Sequence, residues 1–220
     1  MGITVDIAFD LAGYVLIVVL GIVPIVNPFS TAPVFISMTS HIGGAERKHT
    51  ATLACMYMAA LLLVFLLLGT TIMQFFGISL QSLKIAGGLV IAYMGFRMLF
   101  PPEPHQMEVE SSAKRDPQSL AFTPLALPML CGPGSISVVL AMAAKVSDQE
   151  ILVNKIAGYA VVATGIVLSA LICWLVLWSS GSVVRFLGKN GIEATTKLMG
   201  FLLICIGTEF VLSGWSMGLQ

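Results

Sequence analysis

Three prolines hold the same spacing twice in this chain. Pro24, Pro28 and Pro33 recur one hundred residues later as Pro124, Pro128 and Pro133, and both sets interrupt long apolar runs. Proline removes a backbone donor and clashes with the preceding helical turn, so a helix running into either segment breaks. In a bilayer the freed N–H and C=O groups find no water. Such a break is tolerated only where protein buries it or where it lines a cavity. A matched pair of Gly/Pro-interrupted apolar segments, one in each half of a chain, marks the binding site of a secondary transporter.

The rest of the chain suits that setting. It is 57% hydrophobic and 10% charged, with a mean hydropathy of +0.97, against roughly 25% charged in a soluble domain. Apolar character runs from Ile7 to Met38, well beyond the ~20 residues that cross a bilayer, which predicts a broken or re-entrant first span. Further spans are expected over Ala51–Phe75, Leu83–Phe100, Leu120–Ala144, Ile156–Trp178 and Lys197–Trp215, with Trp178 and Trp215 at the interfaces. The expected fold is all-α: a polytopic membrane protein of six transmembrane helices. Met1–Asp6 lacks the basic start and cleavage site of a removable signal peptide. Cys55, Cys131, Cys173 and Cys205 fall in or beside spans without metal-ligand spacing and read as buried free thiols.

The spans divide into two repeats. Gly88 and Gly95 match Gly200 and Gly207, seven residues apart in each pair, so each pair lies on one helical face where small residues allow close approach. Three spans per repeat is odd, so the second copy is inverted. The division is residues 1–100, a Pro-, Glu- and Ser-rich linker at 101–119 that reads as mobile, and residues 120–220. Arg47, Lys48, Arg97, Lys114, Arg115, Arg185, Lys189 and Lys197 fall on one side, and Lys84, Lys145 and Lys155 on the other. The excess predicts that the first side is cytoplasmic and that both termini lie outside.

The two breaks carry the polar chemistry. A helix restarting at Pro133 would leave N–H groups unpaired at its first turn, a site for a carboxylate. Gly132 and Gly134 permit close backbone approach, and Ser135 can cap or contact a ligand. In the first copy Asn27, Pro28, Ser30 and Thr31 precede a helix expected to restart near Pro33. The plainer reading is that the prolines only kink packed helices, while Asn27, Ser30 and Thr31 satisfy freed backbone. Glu209 lies within an apolar span and is a candidate proton carrier, or a partner for its repeat mate Arg97; snorkelling to the interface is the plainer reading for both. Asp10 reads as interfacial.

Several chemistries are excluded. No Gly-x4-Gly-Lys-Ser/Thr loop points to ATP, and His41, His49 and His105 lie in loops, away from any buried Ser–His dyad. Scattered acids give no metal pathway. No enzyme, metal or cofactor is expected.

The segment Asn27-Pro28-Phe29-Ser30-Thr31-Ala32-Pro33 resembles the MarC family. So do Phe76-Gly77-Ile78-Ser79, Gly87-Gly88 with Gly95-Phe96-Arg97, Pro124 to Pro128 with Gly132-Pro133-Gly134, Gly191-Ile192-Glu193 and Met199-Gly200. The resemblance covers essentially the whole chain. It implies a six-span inner-membrane protein of a bacterium or archaeon, related to amino-acid exporters of the LysE type, with one branch described as small neutral amino-acid transporters. The expected function is secondary transport of small neutral amino acids or similar zwitterions by rocking of two inverted halves. Pro133–Ser135 would receive the carboxylate, and Asn27, Ser30 and Thr31 the ammonium. The rivals are a drug or other solute exporter and a non-transporting assembly or regulatory protein. Expected partners are the lipid bilayer and a small-molecule substrate, with no nucleic acid. A homo-oligomer stays open, because the glycine faces serve packing either within or between chains.

Overall fold

The computed structural model describes residues 2–101, 120–147 and 152–218, with side chains from residue 11 onward apart from 124, 128, 152, 153 and 189. Nearly all of the expected linker, and the side chain of Asp10, lie outside that set. Every described element is helical.

The first span is broken, as the prolines predict. Helix α1 (Gly2–Val26) and helix α2 (Pro28–Met38) meet at Asn27, with a bend of 44° between them. Asn27 holds φ 42 and ψ 69, the left-handed region that asparagine tolerates better than most residues. Pro28 then takes the first helical position, where no N–H is needed. The helix therefore restarts at Pro28 rather than near Pro33, which lies inside α2. Asn27 supplies the turn and Pro28 the pre-set φ, so nothing is left for Pro33 to start.

The second copy breaks differently. Ala121–Leu130 (α5) is wound wider than an α-helix, and the Cys131 N–H reaches the Ala126 carbonyl at 2.8 Å. Two residues inside it are extended: Thr123 (φ −126, ψ 121) and Leu127 (φ −120, ψ 125). Each immediately precedes a proline, whose ring pushes its predecessor out of the helical region. Helix α6 (Pro133–Ser147) follows with Pro133 in its first turn.

Four helices complete the described residues: α3 (Gly44–Phe75), α4 (Leu80–Leu99), α7 (Leu152–Trp178) and α8 (Ser180–Met217). Among the described residues four helical stretches are long and apolar enough to cross a membrane alone, in α3, α4, α7 and Asn190–Met217 of α8; the bent α1–α2 pair makes a fifth. The fourth expected span, Leu120–Ala144, corresponds to α5 and α6, and α6 alone has 15 residues, short of the ~20 a crossing needs. Helix α8 starts well before the expected Lys197, and its first turns form a separate piece ending at Gly188 (φ 63, ψ −179). A salt bridge of 2.7 Å from Lys197 to Glu193 holds a stretch expected to be loop in helical form.

Helices α4 and α8 pack antiparallel, backbone against backbone. A Cβ added to Gly88 would lie 2.5 Å from the Gly207 carbonyl oxygen, and one on Gly207 would lie 2.5 Å from that of Gly88. Gly95 and Gly200 repeat the arrangement at 2.5 and 2.8 Å. The glycine faces thus pack within the chain. Around this seam α3 packs on α7, α1 on α7, α5 on α3, α2 on α8 and α6 on α4. Exchanging α1–α2, α3 and α4 with α5–α6, α7 and α8 maps α3–α7 onto itself, α1–α7 onto α5–α3 and α2–α8 onto α6–α4.

The larger core, including Ile22, Met58, Leu62, Leu125, Ile166 and Leu177, joins α1, α3, α5 and α7. A smaller one, Ile25, Ile91, Val138 and Leu203, lies against the α4–α8 seam. Cys55, Cys131 and Cys173 are buried free thiols as expected, but Cys205 is exposed. It points away from Leu203 and Gly207, the inward face of α8. Trp178 and Trp215 are exposed at helix ends, where amphipathic rings meet the headgroup layer.

Candidate functional site

The two breaks lie against each other. A Cβ on Gly134 would sit 3.1 Å from Ile25 of the first break, and 3.3 and 3.4 Å from Ile91 and Met94 of α4. Asn27 is two residues beyond Ile25, and its Nδ2 lies 3.8 Å from the Met98 sulfur on the same α4 face. Asn27, Pro28 and Thr31 are buried on one side, and Gly132, Gly134 and Ser135 on the other; Ser30 and Pro33 are half-buried and Pro133 is exposed. The expected substrate-binding residues therefore gather into one region, bridged by α4.

Each polar side chain there bonds to its own break. The Ser30 N–H donates to Asn27 Oδ1 at 3.4 Å. The Ser30 and Thr31 hydroxyls donate to the Asn27 carbonyl at 3.4 and 3.2 Å. Across from them the Ser135 hydroxyl donates to the Gly132 carbonyl at 2.9 Å, and the Ile136 N–H takes the same acceptor at 3.1 Å. Ile136 makes the first helical bond of α6, so the Gly134 and Ser135 N–H groups precede the reach of the intrahelical ladder. They are donors with a helix dipole behind them, suited to an anionic oxygen.

Arg97 and Glu209 do not join this region or each other. Both are exposed, Arg97 in the last turn of α4 and Glu209 on the outer face of α8. The Gly95–Gly200 contact sets Arg97 beside the early part of the α8 span. Glu209 therefore lies about 16 Å further along the helix axis.

The whole chain from residue 11 to residue 219 matches the MarC family integral membrane proteins. It belongs to the MarC family. The inner membrane protein MarC of Escherichia coli O157:H7 is 37% identical over 214 residues, 94% of each chain. The proteins of that name from Escherichia coli K12 and Shigella flexneri are each 36% identical over the same length. No solved structure matches. Apolar spans and inner-membrane relatives together make this MarC family member a multi-pass inner-membrane protein.

Sequence reasoning missed two residues near the seam. Met98 touches Asn27, which no local pattern announces. Lys84, expected at the outer loop side, is buried at 7% exposure. Its ammonium donates to the Ser213 hydroxyl at 2.8 Å and lies 3.2 Å from the Met217 sulfur. Its one available signal was a position four residues before Gly88, on the same helical face.

Proposed function

We propose that this MarC family protein is a secondary transporter of small neutral amino acids or similar small zwitterions, working by alternating access. The observation that carries the reading is the meeting of two helix breaks at one place. There the first-turn N–H groups of α6 suit a carboxylate, and Asn27, Ser30 and Thr31 suit an ammonium. In the conformation described Asn27 is 3% and Ser135 0% exposed, as an occluded site would be. The exchange symmetry of the helix pairings supports an inverted repeat, with α5 and α6 together as the fourth of six crossings. The same Lys/Arg excess supports termini on the outer side. Glu209 and Arg97 lie outside the region of the breaks, so proton coupling through Glu209 would act at a distance from the bound substrate.

A second reading has an observation of its own: Asn27, Ser30, Thr31 and Ser135 each already bond to the backbone of their own break. A non-transporting membrane assembly protein would need no more than that. Counterflow in proteoliposomes separates the two. Vesicles preloaded with unlabelled glycine, alanine or serine should concentrate the labelled amino acid, and Ser135→Ala and Asn27→Gly should reduce this at least tenfold. No counterflow of any of them by folded protein would overturn the transport reading.

A further inference from the structure

A second polar cleft, remote from the helix breaks, has a charge pattern that the transport reading does not use. It encloses about 360 Å³ where α3 begins and α7 passes into α8, and Arg47, Lys48 and Arg185 all line it. No carboxylate lines it, and among the described residues none pairs with these cations; the Lys197–Glu193 ion pair lies outside the cleft. Ser180 and Ser182 add hydroxyls. The first turn of α8 adds the Ser180 and Gly181 N–H groups, while those of Ser182 and Val183 already donate to the Ser179 carbonyl.

Arg47 is fixed in place and left incomplete. Its Nη2 donates to the Thr39 carbonyl at the end of α2 at 3.0 Å. Its Nε is buried without any hydrogen-bond partner, a state that costs free energy until an acceptor arrives. Lys48 holds its ammonium 4.2 Å above the Trp178 ring, so it stands at the cleft wall. A planar guanidinium, two further cations and hydroxyl donors around one small volume suit the tetrahedral oxygens of a phosphate.

We propose that this cleft binds a phosphate-bearing anion, delivered as the headgroup of an anionic membrane lipid. Two exposed rings favour the lipid over a free phosphate. Phe186 is 91% exposed on the short first piece of α8, and Trp178 is 45% exposed at the end of α7. Exposed rings of this kind beside a cationic cleft suit burial in the acyl boundary while the headgroup enters the cleft. On the side expected to be cytoplasmic, anionic lipids are attracted by basic pockets between helices.

Purified full-length protein in neutral detergent is titrated with phosphatidylglycerol, with phosphatidylcholine of the same acyl chains, and separately with inorganic phosphate. Native mass spectrometry reads lipid binding, and the Trp178-dependent fluorescence reads phosphate. Phosphatidylglycerol should bind in preference to phosphatidylcholine. Lys48→Gln with Arg185→Gln should weaken it about 25-fold, at about fivefold per cation. Both are exposed, so folding is expected to survive, and an unchanged melting temperature checks it. Lys145→Gln with Lys155→Gln, which removes equal charge elsewhere, should leave binding intact. Binding of inorganic phosphate that depends on the same cations would keep the phosphate site and replace its lipid source by a soluble one. Equal binding of both lipids with no response to phosphate, or equal effects of the two double variants, would overturn the site.

Discussion

The sharpest prediction concerns the glycine seam. A Cβ on Gly88 would lie 2.5 Å from the Gly207 carbonyl oxygen, and ordinary contact begins near 3.4 Å, so α4 and α8 must part by about 0.9 Å locally. On a dispersion potential a gap of that size forfeits about a quarter to a half of each contact's attraction. In a membrane, packing of this kind is most of what holds helices together. Gly88→Ala should therefore cost about 2 kcal/mol, and Gly207→Ala about the same. The two clashes are reciprocal, so one separation relieves both. The double variant should cost about 2.5 kcal/mol rather than about 4, a coupling of about 1.5 kcal/mol. Gly69, whose Cβ would meet Leu140 and Ala143 of α6, shares no neighbour with Gly88; Gly69→Ala with Gly88→Ala should add within about 0.5 kcal/mol. Unfolding in detergent is followed by labelling of the buried thiols Cys55, Cys131 and Cys173, in a Cys205→Ser background because Cys205 is exposed. An additive Gly88/Gly207 pair, or single costs below about 0.5 kcal/mol, would refute the reciprocal seam.

Two further outcomes follow from single residues. Asn27→Ala loses both the αL tolerance and the cap, so it should destabilise by about 2 kcal/mol, while Asn27→Gly keeps the backbone freedom and should cost about 1 kcal/mol less; if the side chain also binds substrate, both variants lose counterflow equally despite their different melting temperatures. Lys84 is a buried cation whose charged neighbour is another cation, Lys145, so Lys84→Met should leave thermal stability unchanged or raise it by about 1 kcal/mol, and a clear loss of stability would show that the ammonium's bond to Ser213 outweighs its desolvation.

What the sequence made legible was local or periodic. The prolines announced both breaks, and the seven-residue glycine pairs announced close helix approach. What a break looks like depended on the residue before each proline. Asn27 could turn left-handed, whereas Thr123 and Leu127 could only extend, so the same spacing produced one sharp bend and one stretched coil. Reading the proline's predecessor would have moved the restart from Pro33 to Pro28. Other features needed the third dimension. Lys84 looked like an outer-side loop charge because nothing in its neighbourhood shows that Ser213, far along the chain, receives it. Cys205 looked like its three buried counterparts until the seam decided which face of α8 turns inward. Arg47, Lys48 and Arg185 counted as loop charges for orientation, and only the fold brought them to one cleft.

The seam also bears on how such a molecule can move. Its four glycines belong two to the first hundred residues and two to the last, and each touches a carbonyl from the opposite half. Pulling the two sequence halves apart would strip backbone from backbone along that line. Sliding is easier where side chains interdigitate, as between α3 and α7, than where main chains lock. The third helix of each half is thus pinned to the other half as a shared keel. Away from the keel the halves interlace as well, α1 against α7 and α5 against α3, so the boundary written in the sequence at the linker is not a boundary in the packing.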